Sequence, residues 1–187
     1  PSEHLMTNLS LFSIDVDNEI FYNPYTPPFG QNENYDRIQR QGIEAKMEYK
    51  PGEELPRITL NYTYTQAEFQ QGAFRGNEVP GVPHNKAGVI ITTPPVAVEN
   101  LNVNLYYNYV GSRYLVSDQP NQQSLLDAYN TVDMKFIYQY KKVKASLGVN
   151  NLFNQRYEEY GSTNSAGTIA LYPSPERNYM MGLAIEF

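Results

Sequence analysis

Apolar and polar residues alternate along most of this chain with a period of two. Between 57 and 66, Ile58, Leu60, Tyr62 and Tyr64 fall on one parity and Thr59, Asn61, Thr63 and Thr65 on the other. Successive side chains of an extended strand point to opposite faces, so the alternation predicts a strand with one apolar and one polar face. The pattern recurs at 37–49, where Ile43, Ala45, Met47 and Tyr49 oppose Gly42, Glu44, Lys46 and Glu48. It is strongest at 100–113, with Leu101, Val103, Leu105, Tyr107 and Tyr109 against Asn102, Asn104, Tyr106 and Asn108. Two strands flank Lys141-Lys142 as a hairpin. Val132, Met134, Phe136, Tyr138 and Tyr140 alternate with Thr131, Asp133, Lys135, Ile137 and Gln139; Ala145, Leu147 and Val149 then alternate with Ser146, Gly148 and Asn150. The last strand sets Tyr179, Met181, Leu183, Ile185 and Phe187 against Gly182, Ala184 and Glu186. A strand at 85–93 opposes Ala87, Val89 and Ile91 to Gly88, Ile90 and Thr92. At 8–21, Leu9 and Leu11 hold one parity and Phe12, Ile14 and Val16 the other, which predicts a bulge near Ser13.

The eight strands are joined by connections that alternate in length. Those at 23–36, 67–83, 114–127 and 154–177 are long and rich in Pro, Gly, Asn, Gln and Ser; those at 51–56, after Pro94-Pro95, and at 141–142 are short. Long loops at one end and short turns at the other are the pattern of an outer-membrane barrel, with the long loops outside the cell. The strands also run to about ten residues, the length that crosses a bilayer at a tilt. Tyrosines gather towards the ends of the apolar faces, as at Tyr107, Tyr109, Tyr138 and Tyr140. Periodicity alone does not separate a lipid face from the core face of a soluble sandwich.

Specific motifs narrow this. The run Val149-Asn150-Asn151-Leu152-Phe153-Asn154-Gln155-Arg156-Tyr157 is followed by Tyr172-Pro173-Ser174-Pro175-Glu176-Arg177-Asn178 and by the strand that ends in Phe187. Upstream stand Arg40-Gln41-Gly42-Ile43-Glu44, Val82-Pro83-His84-Asn85-Lys86 and Tyr109-Val110-Gly111-Ser112-Arg113-Tyr114. In this order the fragments resemble the carboxy-terminal end of TonB-dependent outer-membrane receptors. The resemblance implies an all-β, transmembrane antiparallel β-barrel, with eight strands of a larger, 22-stranded barrel in this chain. Residues 1–187 would be the carboxy-terminal segment, and the family's plug domain and TonB box have no counterpart here; the opening on Pro1 is that of a piece of a longer precursor. The implied function is energy-dependent uptake of a scarce ligand, such as a ferric siderophore, cobalamin or a glycan, across the outer membrane of a Gram-negative bacterium. The implied partners are outer-membrane lipid, the TonB energy-transducing complex acting through the plug, an extracellular small-molecule ligand, and the barrel-assembly machinery. That machinery would read Tyr179, Met181, Leu183, Ile185 and Phe187 as its signal. A self-contained eight-stranded barrel serving as adhesin or anchor, and a secreted carbohydrate-binding β-sandwich, are the other readings of the same strands.

Composition changes the picture in a few places. The chain is 41% hydrophobic with a mean hydropathy of −0.56, and no apolar run approaches the ~18 residues of a membrane helix. A helical membrane protein is excluded, whereas a barrel spends only alternate residues on lipid. Seventeen tyrosines suit a membrane interface, where the ring is apolar and the hydroxyl wet. A net charge of −6 argues against a nucleic-acid partner. There is no cysteine, so neither disulfides nor thiolate metal sites arise. His4 and His84 stand far apart, with no metal-ligand spacing and no nucleophile beside them, so no enzyme, cofactor or metal is expected. Glu53-Glu54 and Glu158-Glu159 are adjacent and would point apart on extended backbone. Asp15 and Asp17 share a face but lack further oxygen ligands. Candidate ligand-binding residues lie in the long loops: Arg75 and Asn77 in one, Tyr114, Asp118, Gln122 and Gln123 in another, and Arg156, Tyr157 and Tyr160 at the base of the last.

Overall fold

The computed structural model describes residues 4–28, 30–95 and 98–186. Among the described residues ten strands form, in chain order: β1 (Leu5–Asn23), β2 (Gln31–Tyr49), β3 (Arg57–Phe69), β4 (Asn85–Thr92), β5 (Leu101–Val110), β6 (Tyr129–Tyr140), β7 (Val143–Asn150), β8 (Glu158–Thr163), β9 (Ile169–Pro173) and β10 (Asn178–Ile185). Eight of them make one antiparallel sheet in the order β1-β2-β3-β4-β5-β6-β7-β10, and β8 and β9 make a separate two-stranded sheet. The eight strands expected from alternation are therefore the wall, and the sheet is open, with β1 and β10 at its edges.

Directly opposite residues of an antiparallel pair share a face, so the register shows whether the eight apolar parities join. They do. One row crosses the sheet as Leu5, Tyr49, Ile58, Ile91, Leu105, Met134, Val149 and Tyr179. The row beside it in β5, β6, β7 and β10 is Val103, Phe136, Leu147 and Met181. Among the described residues nothing covers this face: Leu9, Leu11, Leu183 and Met181 are exposed, Met181 to 87%. The opposite face runs Asn8, Lys46, Asn61, Gly88, Asn108 and Thr131 in one row, and its charges neutralise locally, as where Glu48 lies 3.8 Å from both Lys46 and Arg57.

The first strand corrects the sequence reading. No bulge interrupts β1 near Ser13, where Leu11, Phe12, Ser13 and Ile14 pair in unbroken register with Ile43, Gly42, Gln41 and Arg40. Phe12 lies on the polar face because Gly42 opposite it leaves the ring room; a Cβ added to Gly42 would stand 2.7 Å from Phe12 Cζ. The irregularity is at Asn18, which has φ 59 and no cross-strand partner. Below it Asp15 pairs with Arg37 at 2.9 Å, both on the apolar parity. Above it the side chains change sides. Glu19 holds Arg40 through two hydrogen bonds of 2.6 and 2.7 Å, although Arg40 belongs to the other face. Likewise Phe21 and Tyr35 pack on Phe69, with ring centroids 6.2 and 5.1 Å away, although alternation from Val16 and Ile38 would point them outward.

Half of the expected loop at 23–36 is strand. Residues 24–28 and Gly30, which include the prolines, leave the ladder, while 31–35 pair with β1 despite their Asn- and Glu-rich composition. Cross-strand pairing here overrides weak local propensity. The ribbon carries a small outer core of Ile38, Ala67, Phe69 and Val79, capped by Phe21, Tyr35, Phe74 and Val82. The 154–177 loop likewise contains the β8–β9 hairpin, and β5 stops at Val110 rather than Arg113. At the far end of the sheet, residues 50–56, 93–100 and 141–142 connect strands as expected. Phe187, expected to close the last apolar face, lies outside the described residues.

Candidate functional site

The long connections do not wave independently; the segment 113–126 ties them into one layer. Its centre is the turn Asp118-Gln119-Pro120-Asn121. The Asp118 carboxylate is fully buried and accepts the backbone N–H groups of Gln122 and Gln123, each at 3.0 Å. Two amide donors satisfy the buried carboxylate, which among the described residues has no ion-pair partner. Asn121, at φ 55, takes the Glu78 N–H on Oδ1 at 2.7 Å and donates Nδ2 to the Glu78 carbonyl at 3.0 Å. The side chain thus substitutes for a strand against the 67–83 loop. Gln119, 1% exposed, donates to the Tyr22 carbonyl at 3.1 Å, while its own carbonyl accepts Asn77 Nδ2 at 2.9 Å. One turn therefore holds the tip of the β1–β2 ribbon and the 67–83 loop.

The same segment grips the β8–β9 hairpin. Val116 exchanges backbone hydrogen bonds with Gly161 and Thr163, a single parallel bridge. Gly161 has no room for a side chain, since an added Cβ would meet Leu115 at 2.7 Å and Leu126 at 3.2 Å. The buried Arg113 donates Nη2 to the Glu159 carbonyl at 2.7 Å, and its guanidinium lies 5.7 Å from the Tyr129 ring centroid. The motif after β7 anchors the base of the hairpin. Asn151, at φ 51, donates its N–H to Asp133 at 2.7 Å and closes a two-way bond with the backbone of Gln155; Asn154 Oδ1 accepts the Arg177 N–H at 2.8 Å.

The candidates read from the sequence separate into two groups. Asp118 and Asn77 use their polar atoms inside the layer, and Gln122 and Gln123 offer their N–H groups to it. Arg75, Arg156 and Tyr160 are exposed, Arg156 beside Glu176 at 3.6 Å and Tyr160 in ring contact with Tyr172. Tyr157 stacks on Tyr129 at 4.3 Å; burial, then the charges of Glu159 and Asp133, raise its phenol pKa above the ordinary value. Tyr114 lines a hollow of about 190 Å³ with Glu78, His84, Arg113 and Leu125, where His84 Nε2 lies 3.0 Å from Glu78 Oε2. Below the layer, the polar face of the wall forms a larger hollow of about 370 Å³, lined by Asn61, Thr63, Lys86, Asn108, Tyr129 and Glu159. Missed in the sequence were Gln119, Asn121, Arg113 and Tyr172. The only signal for the first two was the turn-forming Asp-Gln-Pro-Asn itself. This is a wall with an aromatic and hydrogen-bonding rim, suited to holding a polar molecule; among the described residues there is no group of acids and histidines able to hold a metal ion.

A family model described as TonB dependent receptor-like, beta-barrel, matches residues 2–152. The pesticin receptor of Yersinia enterocolitica (serotype O:8, biotype 1B) is 30% identical over 158 residues, 78% of this chain and 22% of that protein. The metal-pseudopaline receptor CntO of Pseudomonas aeruginosa strain UCBPP-PA14 is 27% identical over 185 residues, 96% of this chain and 25% of that one. The crystal structure of the ferric yersiniabactin uptake receptor FyuA from Yersinia pestis superposes with a TM-score of 0.80 at 21% identity, covering 100% of this chain and 28% of that one. The chain thus spans about a quarter of the proteins it matches, and its uncovered apolar face is the face such a barrel turns to lipid.

Proposed function

This chain belongs to the TonB-dependent receptor β-barrel family, and on that premise we propose that it is the carboxy-terminal part of the barrel of an uptake receptor for a scarce metal chelate. The family places it in the outer membrane of a Gram-negative bacterium; the linked loop layer is assigned to the outside of the cell because long loops lie there in such barrels. Among the ligand classes a ferric siderophore, cobalamin or a glycan represent, the metal chelate is favoured by the relatives whose names state a cargo, metal-pseudopaline and ferric yersiniabactin. The observation that carries the reading is the fixed loop layer standing over a polar wall hollow of about 370 Å³, with Arg75, Tyr160 and Tyr172 presented outward from it. Rings and a guanidinium held on an ordered frame capture a bulky polar ligand at low entropic cost. Uptake would be driven by the TonB complex through a plug elsewhere in the receptor.

The test uses the complete receptor on intact cells. Arg75, Tyr160 and Tyr172 are exposed, so replacing all three by Ala leaves the frame in place. Equilibrium binding is measured with radio-iron-loaded catecholate, hydroxycarboxylate and phenolate chelates, alongside labelled cobalamin and oligosaccharides, with an immunoblot of outer membranes. The expectation is that one chelate class binds and that the variant binds it at least fivefold more weakly, about 1 kcal/mol, at unchanged protein level. Binding within twofold of the parent takes recognition away from these loops; binding of cobalamin or a glycan in place of every chelate overturns the ligand class.

A further inference from the structure

We propose that the β6–β7 turn is a docking point for the headgroup of an anionic phospholipid in the periplasmic leaflet of the outer membrane. The three short connections of the wall lie at the end away from the loop layer, at the level where one leaflet presents its headgroups. They differ in charge. The 50–56 connection carries Glu53 and Glu54, and its Lys50 is taken up by Glu53 at 2.9 Å; the 93–100 connection carries Glu99. The third is basic: Lys141 and Lys142 form the turn, and Lys144 follows on β7. All three lysines are exposed, and among the described residues none has an ion-pair partner. Of the acids nearby, Glu186 meets Lys142 through its backbone N–H, 2.9 Å from the Lys142 carbonyl.

The lysines are placed on a lipid surface rather than merely in water. Tyr140 and Val143 face each other on the apolar side, Ile185 extends the row, and Tyr140 is 54% exposed there. Lys141, at φ 51, brings its ammonium 5.3 Å from the Tyr140 ring centroid, so the cation is held at the rim of the lipid-facing surface. A cation over a tyrosine with apolar side chains behind it matches a lipid whose acyl chain lies on the wall and whose phosphate meets the ammonium. Lys144 opposes Gln139 on the polar face and extends the positive potential inward from the turn. A zwitterionic headgroup brings its own cation and gains little from this; an anionic glycerophospholipid gains from every lysine.

The experiment places the complete receptor in bilayer discs containing phosphatidylethanolamine and phosphatidylglycerol, strips bulk lipid with mild detergent, and counts the retained lipids by mass spectrometry. The parent is expected to retain phosphatidylglycerol with about fivefold preference, K141Q/K142Q to show a preference near one, and K141R to keep most of it. Retained heat-modifiability on gels establishes that each variant is a folded barrel. An unchanged preference in K141Q/K142Q, or none in the parent, overturns the proposal. So does loss of the preference in millimolar inorganic phosphate, which would mark a site for free phosphate instead of a lipid.

Discussion

Gly42 shows how one residue sets the first strand. Phe12 reads as a parity error in the sequence, and the expectation of a bulge near Ser13 followed from it. The structure resolves the conflict with a cross-strand pair of an aromatic and a glycine, Phe12 against Gly42. A Cβ at 42 would lie 2.7 Å from Phe12 Cζ and 2.0 Å from the Tyr64 carbonyl, and backbone does not yield cheaply. Gly42→Ala should destabilise the complete barrel in lipid by about 1–3 kcal/mol, read as a lowered urea midpoint with an unchanged denaturant slope. Asn121 and Gln119 mark where sequence reading stops at this scale. A polar residue in a loop looks the same whether its amide meets water or a buried carbonyl, and only the fold decides. Asp118 was singled out as a ligand-binding candidate in a long loop, yet its oxygens are turned onto two backbone amides of that loop.

Strands of the wall were legible because each has two solvents, one per face, and selection on both faces writes the period into the sequence. The register carries this further than any one strand. Phe136 sits between Val103 and Leu147 in the apolar row, whereas its neighbour Ile137 sits between Asn102 and Ser146. Phe136→Arg is expected to cost about 2–4 kcal/mol in a bilayer and Ile137→Arg far less; equal costs in denaturant titrations of the lipid-embedded receptor would show the faces to be assigned wrongly. The upper ribbon and the β8–β9 hairpin were not legible. Residues 31–36 have the composition of a loop, and β8 and β9 are six and five residues long in a Gly- and Ser-rich stretch. Each is a local hairpin braced from afar, the ribbon tip by Gln119 on the Tyr22 carbonyl and β8 by Val116, and no local pattern reveals these braces.

At the scale of the molecule, the sheet below and the loop layer above are stabilised by different means. The wall relies on ladder hydrogen bonds and an apolar face that needs lipid; the layer has its own small core and a network centred on 113–126. Because Asn121 and Gln119 bind two other loops, disturbance should spread. Asn121→Ala in the complete receptor is expected to raise amide hydrogen exchange not only at 118–123 but also across 76–81, where the Glu78 N–H and carbonyl both lose the Asn121 side chain. An increase confined to 118–123 would mean that the loops are ordered separately. Family membership was visible in the motifs after β7 for a physical reason: Asn151 and Asn154 close the turn that aligns the last strand with the wall, so their spacing is tied to the barrel and not to the cargo.

The change of sides at Asn18 gives the β1–β2 ribbon two phases. Below that residue odd positions of β1 keep the parity of the wall's apolar face, apolar at Leu9 and Leu11 and polar from Ser13 to Asp17; above it they turn in to cover Phe69, and the strand continues without a shift of its pairing register. The tip is thereby insulated from the membrane's count of residues. Its length and sequence can drift, provided the phase step stays above the apolar positions that end at Leu11, while the wall keeps its own alternation untouched.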